Sequence, residues 1–223
     1  MPETVHTILR QLKALGNAEH RAGMKRFGIE NSKALGIKVP ELRKLAKTIK
    51  TNHALALELW QTGIHEARIL ATFIADPTQV TPELMDGWTN EFNSWDVCDQ
   101  ACGNLFDRTP FVLKKIKEYS RSEREFVKRA GFVLMAYCAV HNKTAEDKVF
   151  LSFLPIIERE ARDDRNFVKK AVNWALRQIG KRNATLLKAA IHTAEKIALQ
   201  DSKTAKWITK DALRELVNYR KKY

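Results

Sequence analysis

Apolar residues recur along this chain at intervals of three and four rather than in alternation, which is the period of helices that bury one face. Prolines stand where several such stretches begin, at Pro40, Pro82 and Pro110, and proline is favoured in the first turn of a helix. The connections are short, and no segment rich in Ser, Gly or Pro divides the chain. The pattern predicts an all-α protein of roughly a dozen helices, folded as one continuous domain over residues 1–223.

One internal repeat stands out. Residues 125–130 (EFVKRA) resemble residues 166–171 (NFVKKA), which places Phe126 and Phe167 at equivalent positions 41 residues apart. HEAT and armadillo repeats have periods of about 40 to 47 residues. Chance similarity between two amphipathic helices is the alternative. A true repeat predicts a HEAT-like helical solenoid, an α-α superhelix whose curved, concave face is the usual binding surface and would here be basic.

The stretch 167–181 predicts a helix with two different faces. Its apolar stripe comprises Val168, Ala171, Val172, Ala175 and Ile179. Another face carries Lys170, Trp174, Arg177 and Lys181 at offsets of four, seven and eleven residues. Residues 165–182 contain six Lys or Arg and no Asp or Glu. An indole among cations can stack on a base or sugar, or attract a cationic ligand. Alternatively, a neighbouring helix covers Trp174.

A second helix, predicted from about Ser94 to Phe106, places a carboxylate within an apolar stripe. The stripe comprises Trp95, Asp99, Cys102 and Phe106, at i, i+4, i+7 and i+11. Burying a carboxylate is costly unless it is paired or hydrogen-bonded, so Asp99 needs a partner or a cleft. The alternative is a structural ion pair with a basic residue of the next helix. Asp96, one position round, is interpreted as a first-turn residue favoured by the helix dipole.

Arg129 is the candidate partner of Asp99. It directly precedes residues 130–140, which lack Asp, Glu, Lys and Arg and predict a central buried helix. Its guanidinium can pair with Asp99, hold a DNA phosphate through two hydrogen bonds, or do both through water. Capping the carbonyls of another helix is an equally good interpretation.

Composition narrows the class of protein. The chain has 39 Lys and Arg against 26 Asp and Glu, a formal charge of +13, so a polyanionic partner such as nucleic acid is expected. The longest stretch without Asp, Glu, Lys or Arg, at residues 130–142, is far shorter than the about 20 residues of a bilayer span. No secretory signal is recognisable, and three cysteines predict a reduced, cytoplasmic protein.

The cysteines give only weak support for a zinc site. Cys98, Cys102, Cys138 and His141 have spacings that suit helix faces, but the short knuckle turns of structural zinc sites are missing. The sequence also lacks the glycine-rich nucleotide-binding motifs and the nucleophile elbow of hydrolases. We therefore expect no metal and no cofactor.

Several segments resemble the bacterial AlkD-like DNA alkylation repair family. They are residues 26–27 (RF), 35–43 (LGIKVPELR), 94–99 (SWDVCD), 125–130 and 166–177 (NFVKKAVNWALR). The resemblance covers roughly residues 5–220. It implies an all-helical stack of HEAT-like repeats that cradles duplex DNA. It also implies a glycosylase of base excision repair that hydrolyses the N-glycosidic bond of positively charged N3- and N7-alkylated purines, without flipping the base out of the duplex.

The same resemblance implies roles for individual residues. The catalytic aspartate of the family falls on Asp99, its DNA-facing tryptophans on Trp95 and Trp174, and its arginine on Arg129. Phe27 falls where the best-known member has a tyrosine at the lesion face. Ser94 stands where that member has a second tryptophan, a difference that affects DNA packing more than chemistry.

We expect five cations to grip phosphates of double-stranded DNA, namely Lys169, Lys170, Arg177, Lys181 and Arg182. The expected protein is a monomer. The alternative is a HEAT-like protein that recognises the shape of DNA or RNA without chemistry, and a protein-interaction scaffold is a third hypothesis.

Overall fold

The described part of the chain is helical. The computed structural model describes residues 4–219, and these form α-helices, short 3-10 helices and turns without any β-strand. The prediction of an all-α protein is therefore confirmed. The chain folds into two compact units, unit 1 (Met1–Pro110) and unit 2 (Phe111–Tyr223). The prediction of one continuous domain stays a prediction. Among the described residues, no helix combines the length and the apolar character needed to cross a bilayer.

Unit 1 is built around α5, which packs against α3, α4 and α7. Its α-helices are α1 (Val5–Leu15), α2 (Ala18–Met24), α3 (Val39–Ile49), α4 (His53–Gln61), α5 (His65–Ile74), α6 (Pro82–Asn90) and α7 (Trp95–Asn104). The indoles of Trp60 and Trp88 stack at 4.0 Å between ring centroids, with Phe92 and Phe106 at their edges. These buried rings supply much of the apolar area of the unit's core.

The loop before α3 is fixed by a buried carboxylate. Glu66 of α5 accepts hydrogen bonds from the backbone N–H groups of Leu35, Gly36 and Ile37, at 2.6 to 3.2 Å. Gly36 has a φ of +80°, and a Cβ there would stand 2.1 Å from the Asn17 carbonyl oxygen. Only glycine allows this approach, so the loop lies directly against the start of α2.

Unit 2 is built on the repeat pair. Its helices are α8 (Val112–Tyr119), α9 (Glu125–His141), α10 (Asp147–Leu151), α11 (Leu154–Glu160), α12 (Asn166–Gly180), α13 (Ala184–Ala198) and α14 (Lys203–Tyr219). The two similar segments begin α9 and α12, which pack together, and the rings of Phe126 and Phe167 lie 5.6 Å apart. As predicted, α9 is buried along most of its length, and the five residues of the α12 stripe are fully buried.

The helix starts show where local sequence signals succeed. The helix start predicted at Pro82 is confirmed, since Pro82 is the first residue of α6, and the structure adds a cap, because Thr81 Oγ1 accepts from the Leu84 N–H at 3.1 Å. The expected helix start at Pro110 is wrong, since α8 begins at Val112. Thr109 instead donates its hydroxyl to the Phe106 carbonyl at 2.8 Å and closes a 3-10 turn.

Candidate functional site

The start of α7 brings together three of the predicted residues. Trp95 is the first residue of the helix, and Asp99 lies one turn later on the same face. The Trp95 Nε1 donates to the Phe27 carbonyl oxygen at 3.0 Å. Both Trp95 and Asp99 are half-buried, whereas the Phe27 ring is 65% exposed. A carboxylate, an anchored indole and an exposed phenyl ring therefore occupy one region of unit 1.

Asp96, on the same first turn, does more than balance the helix dipole. Its Oδ2 lies 2.8 Å from Nε2 of His65, the buried first residue of α5. Burial raises the pKa of the Asp96 carboxyl, but the hydrogen bond and charge of His65 outweigh it, and the pKa lies below its usual range. The pair ties the start of α7 to the start of α5. Sequence patterns do not reveal it, because its members are 31 residues apart.

A pocket of about 460 Å³ opens beside this pair. Its walls are mainly apolar, and its lining includes Arg26, Phe27, Ile37, Pro40, His65 and Asp96. The loop before α3, held by Glu66, forms one side of it. Its volume is within the range of small-ligand pockets, and the exposed Phe27 ring lies at its edge.

The residues of α7 next to Asp99 include two cysteines that belong to the core. The side chains of Cys98 and Cys102 are fully buried. Burial raises the pKa of the Cys102 thiol, and Cys98 and the charge of Asp99 raise it further. Cys102 is therefore an unreactive core residue. Phe106, predicted on the same helix, belongs to the 3-10 turn that follows α7. Across residues 4–219, no three side chains of His, Cys, Asp or Glu are grouped so as to hold a metal ion.

In unit 2, Trp174 lies on the half-exposed side of α12 and meets an aromatic neighbour. The rings of Tyr137, from α9, and Trp174 form a T-shaped pair, with centroids 5.2 Å apart and an interplanar angle of 76°. Tyr137 in turn lies 5.2 Å from the His141 ring. The indole is thus held in place on one side while part of it stays accessible.

Arg129 is buried at the start of α9, with 6% of its surface exposed. Its Nη1 donates to the Phe167 carbonyl in the first turn of α12 at 2.6 Å. The guanidinium therefore binds the backbone of another helix, at a carbonyl in its first turn and not at the unpaired carbonyls of its last turn. The predicted contacts with Asp99 and with a phosphate stay predictions.

The five predicted phosphate-binding cations have very different surroundings. Arg177 and Lys181 both form ion pairs with Glu215 of α14, and Arg177 Nε lies 4.0 Å from Asp211. Their positive charge is therefore partly neutralised within unit 2.

Arg182 is held more firmly still. It donates to the carbonyl oxygens of Ala139, Asn142 and Ala145 and stacks on Phe150 at 3.9 Å. Burial lowers its pKa. Any phosphate contact of Arg182 has to compete with these carbonyls in the last turn of α9 and just beyond it.

The two remaining predicted phosphate-binding cations, Lys169 and Lys170, differ in their exposure to solvent. Lys170 is exposed and has no side-chain hydrogen bond or ion pair within the described residues. Lys169 is half-buried, with its Nζ 5.6 Å from the centre of the Trp207 ring. The acid-free stretch of α12 thus presents Lys170 as its least constrained cation.

Comparison with known proteins places the chain in a family. The family model described as DNA alkylation repair enzyme matches residues 8–216. The chain belongs to the DNA alkylation repair enzyme family. The sequence resemblance to AlkD-like proteins is confirmed, and the match includes the helices that carry Trp95, Asp99, Arg129 and Trp174.

Two relatives of this family member are informative. A solved structure described as "a new family of proteins related to the HEAT-like repeat DNA glycosylases with affinity for branched DNA structures" has a TM-score of 0.79, 20% identity and 96% coverage of both chains. This likeness shows the fold, a HEAT-like helical repeat. The uncharacterized protein Lin0241 of Listeria innocua is 25% identical over 126 residues. That alignment spans 56% of the length of this curated relative and 55% of the chain.

Proposed function

We propose that this family member is a DNA glycosylase for cationic N3- and N7-alkylated purines, and that Asp99 is its catalytic residue. The observation that carries the proposal is the half-buried Asp99 carboxylate one helical turn from the anchored Trp95 indole. A carboxylate so placed keeps contact with solvent, as a residue that acts on a DNA-bound substrate must.

The chemistry suits these groups. An alkylated purine carries a positive charge and leaves without a strong general acid. The developing charge lies on the sugar, which becomes oxocarbenium-like as the glycosidic bond breaks, and a nearby carboxylate stabilises it. Asp99 also orients the water that attacks the anomeric carbon. The π-faces of Trp95 and Trp174 favour a cationic base over a neutral one.

The anchoring hydrogen bond explains how Trp95 contributes. Because its N–H is used by the Phe27 carbonyl, the indole offers a ring face rather than a hydrogen-bond donor. Recognition through a ring face depends on charge and shape and requires no extruded base. Lys170 and Lys169 are proposed as the phosphate contacts of unit 2, with Arg177 and Lys181 adding a weaker, partly neutralised field and Arg182 a secondary contact. Arg129 is proposed to position the α9–α12 pair against the DNA backbone.

The test is excision by an isosteric variant. Asp99→Asn is expected to lose release of 7-methylguanine and 3-methyladenine from methylated duplex DNA, because the amide cannot stabilise the cationic sugar. Binding to the same duplex stays within about twofold, since one charge at this position adds little to phosphate binding. Single-turnover base release and fluorescence anisotropy measure the two effects, and Asp86→Asn, an acid of α6, is the control. Equal excision by wild type and Asp99→Asn contradicts the assignment.

A second candidate function is recognition of branched DNA without excision. The structural relative is described as having affinity for such DNA, and the pocket beside Phe27 can accept one unstacked base. Base stacking on an aromatic side chain is worth about 1–3 kcal/mol. A protein of this kind binds a three-way junction more tightly than duplex, loses that preference in Phe27→Ala, and releases no alkylpurine.

A further inference from the structure

A pocket at the end of α3 is not used by the proposed function. It has a volume of about 360 Å³ and lies within unit 1. Its lining includes Arg43, Lys47, Lys50, Phe73, Asn104 and Arg108. Four of these side chains are cationic, and no carboxylate belongs to the described lining. Because so high a density of one charge needs a counterion, an anion is the natural occupant of the pocket.

Arg43 is oriented before any ligand arrives. Its guanidinium donates to Asn104 Oδ1 at 3.3 Å and to Gln100 Oε1 at 3.1 Å, both on α7. The same group stacks on the Phe73 ring at 4.4 Å. Two neutral amides fix the arginine without cancelling its charge. A guanidinium has five N–H donors, so some are left for a ligand.

The other three cations have no partner in the described structure. Lys47, Lys50 and Arg108 are exposed, and their side chains form no hydrogen bond or ion pair with residues 4–219. They differ in this from Arg177 and Lys181, which Glu215 neutralises. Arg43 and Lys47 lie one turn apart on one side of α3, and Lys50 follows directly after the last residue of that helix, Ile49.

Lys50 adds an independent observation. It has φ 62° and ψ −161°, and it is the single non-glycine residue with positive φ among the described residues. This region of backbone space is almost restricted to glycine, and such strain concentrates at functional sites. A glycine at the end of α3 would relieve the strain, yet the chain has a lysine whose side chain reaches the basic pocket.

We infer that this pocket binds a phosphate group, and that the group comes from a DNA backbone. The inference rests on the proposed function for the source of the phosphate, but not for the binding site itself. Free phosphate or a mononucleotide presents the same chemistry to Arg43, Lys50 and Arg108. The two sources are separated by experiment.

The first experiment uses the full chain and a short unmodified duplex, with affinity measured by anisotropy over a range of salt concentrations. Lys50→Ala and Arg108→Ala are each expected to weaken binding about 3- to 10-fold and to reduce the slope of log K against log salt by about 0.9. Lys44→Ala is the matched control, because Lys44 lies on α3 outside the pocket and pairs with Glu41. Wild-type affinity and slope in both pocket variants overturn the DNA source.

The decisive variant is Lys50→Gly. It removes the charge and the backbone strain together, so it is expected to raise the melting temperature while weakening duplex binding as much as Lys50→Ala does. A merely structural lysine would not separate stability from affinity in this way. Because the substitution favours folding, a failure to fold does not obscure the result.

The second experiment addresses the ligand source. Inorganic phosphate at millimolar concentration is added to wild type and to the double variant Lys50→Ala/Arg108→Ala, and thermal shifts are compared. A shift in wild type alone, with duplex affinity unchanged by the pocket variants, assigns the pocket to a free phosphate group. If the pocket variants change neither duplex binding nor the thermal shift with phosphate, the inference is overturned. Alkylpurine release is measured separately, so loss of the proposed function leaves this test intact.

Discussion

Lys170 and Arg182 lie in the same acid-free stretch but differ in what surrounds their charge. Lys170 is exposed and has no partner within the described residues, whereas Arg182 donates to carbonyl oxygens and stacks on Phe150. A cationic side chain that already binds acceptors within the protein contributes to stability, whereas one that faces solvent is available to a ligand. Two alanine substitutions separate these contributions.

We expect Arg182→Ala to lower the free energy of unfolding by about 1–3 kcal/mol, because it leaves backbone carbonyls in and just beyond the last turn of α9 without this donor. Lys170→Ala changes the free energy of unfolding by less than about 0.5 kcal/mol but weakens duplex binding several-fold. Urea unfolding and anisotropy give both quantities for both variants. A stable Arg182→Ala protein with strongly reduced DNA affinity would instead place Arg182 on the phosphates.

Gly36 is the residue at which backbone geometry alone decides the local structure. A side chain there meets the Asn17 carbonyl oxygen, and the φ of +80° is unfavourable for any residue with a Cβ. Gly36→Ala is expected to cost more than about 2 kcal/mol of unfolding free energy and to loosen the loop that Glu66 holds. Gly87→Ala is the control, since a Cβ there meets nothing within 4 Å. Equal stability of the two variants would contradict the geometry.

At the scale of elements, the connection from α11 to α12 is tied to α9 by charges. Asp163 accepts from Arg165 and pairs with Lys128 at 3.2 Å, and Lys128 also pairs with Glu160 at 2.8 Å. Burial raises the pKa of Asp163, but the hydrogen bonds of Arg165 and Lys128 bring it below the usual range. The pKa of Lys128 is raised, because Glu160 and Asp163 outweigh its burial.

The sign of the resulting pH dependence follows from Asp163. A lowered pKa in the folded state stabilises the protein fully above the ordinary Asp value of about 3.9, and this contribution is lost as the pH falls through the folded pKa. Asp163→Asn is expected to cost about 1–3 kcal/mol at pH 7 and progressively less as the pH falls through the lowered, folded-state pKa of Asp163. The exposed Asp164→Asn is the matched control. A cost that persists at low pH would assign Asp163 a role other than its charge.

The sequence predicted those elements whose signals are local. The α12 stripe, the buried α9 and the helix start at Pro82 depend on residues within a few turns of one another, and the repeat indicated that α9 and α12 are equivalent. The pairs that shape the candidate site are distant in sequence. His65 and Asp96 are separated by 31 residues, and Glu66 binds Gly36 across 30. Helical periodicity contains no information about such contacts, so they could not be predicted.

At the scale of the whole molecule, the net charge of +13 overstates the positive charge available to DNA on α12. Glu215 of α14 forms ion pairs with both Arg177 and Lys181. A carboxylate that neutralises two candidate phosphate contacts lowers nucleic-acid affinity, and it also limits nonspecific binding. Glu215 is therefore expected to set how strongly unit 2 binds undamaged DNA.

Glu215→Gln tests this directly. Removing the carboxylate frees Arg177 and Lys181, so duplex affinity at low salt is expected to rise about 3- to 10-fold and the salt dependence to steepen by about one to two phosphate contacts. The loss of partly exposed ion pairs costs at most about 1 kcal/mol of stability. Anisotropy titrations at several salt concentrations provide the measurement, with Glu195→Gln on α13 as a control for net charge. Weaker binding in Glu215→Gln would show that the carboxylate orients these cations for phosphate instead of withholding them.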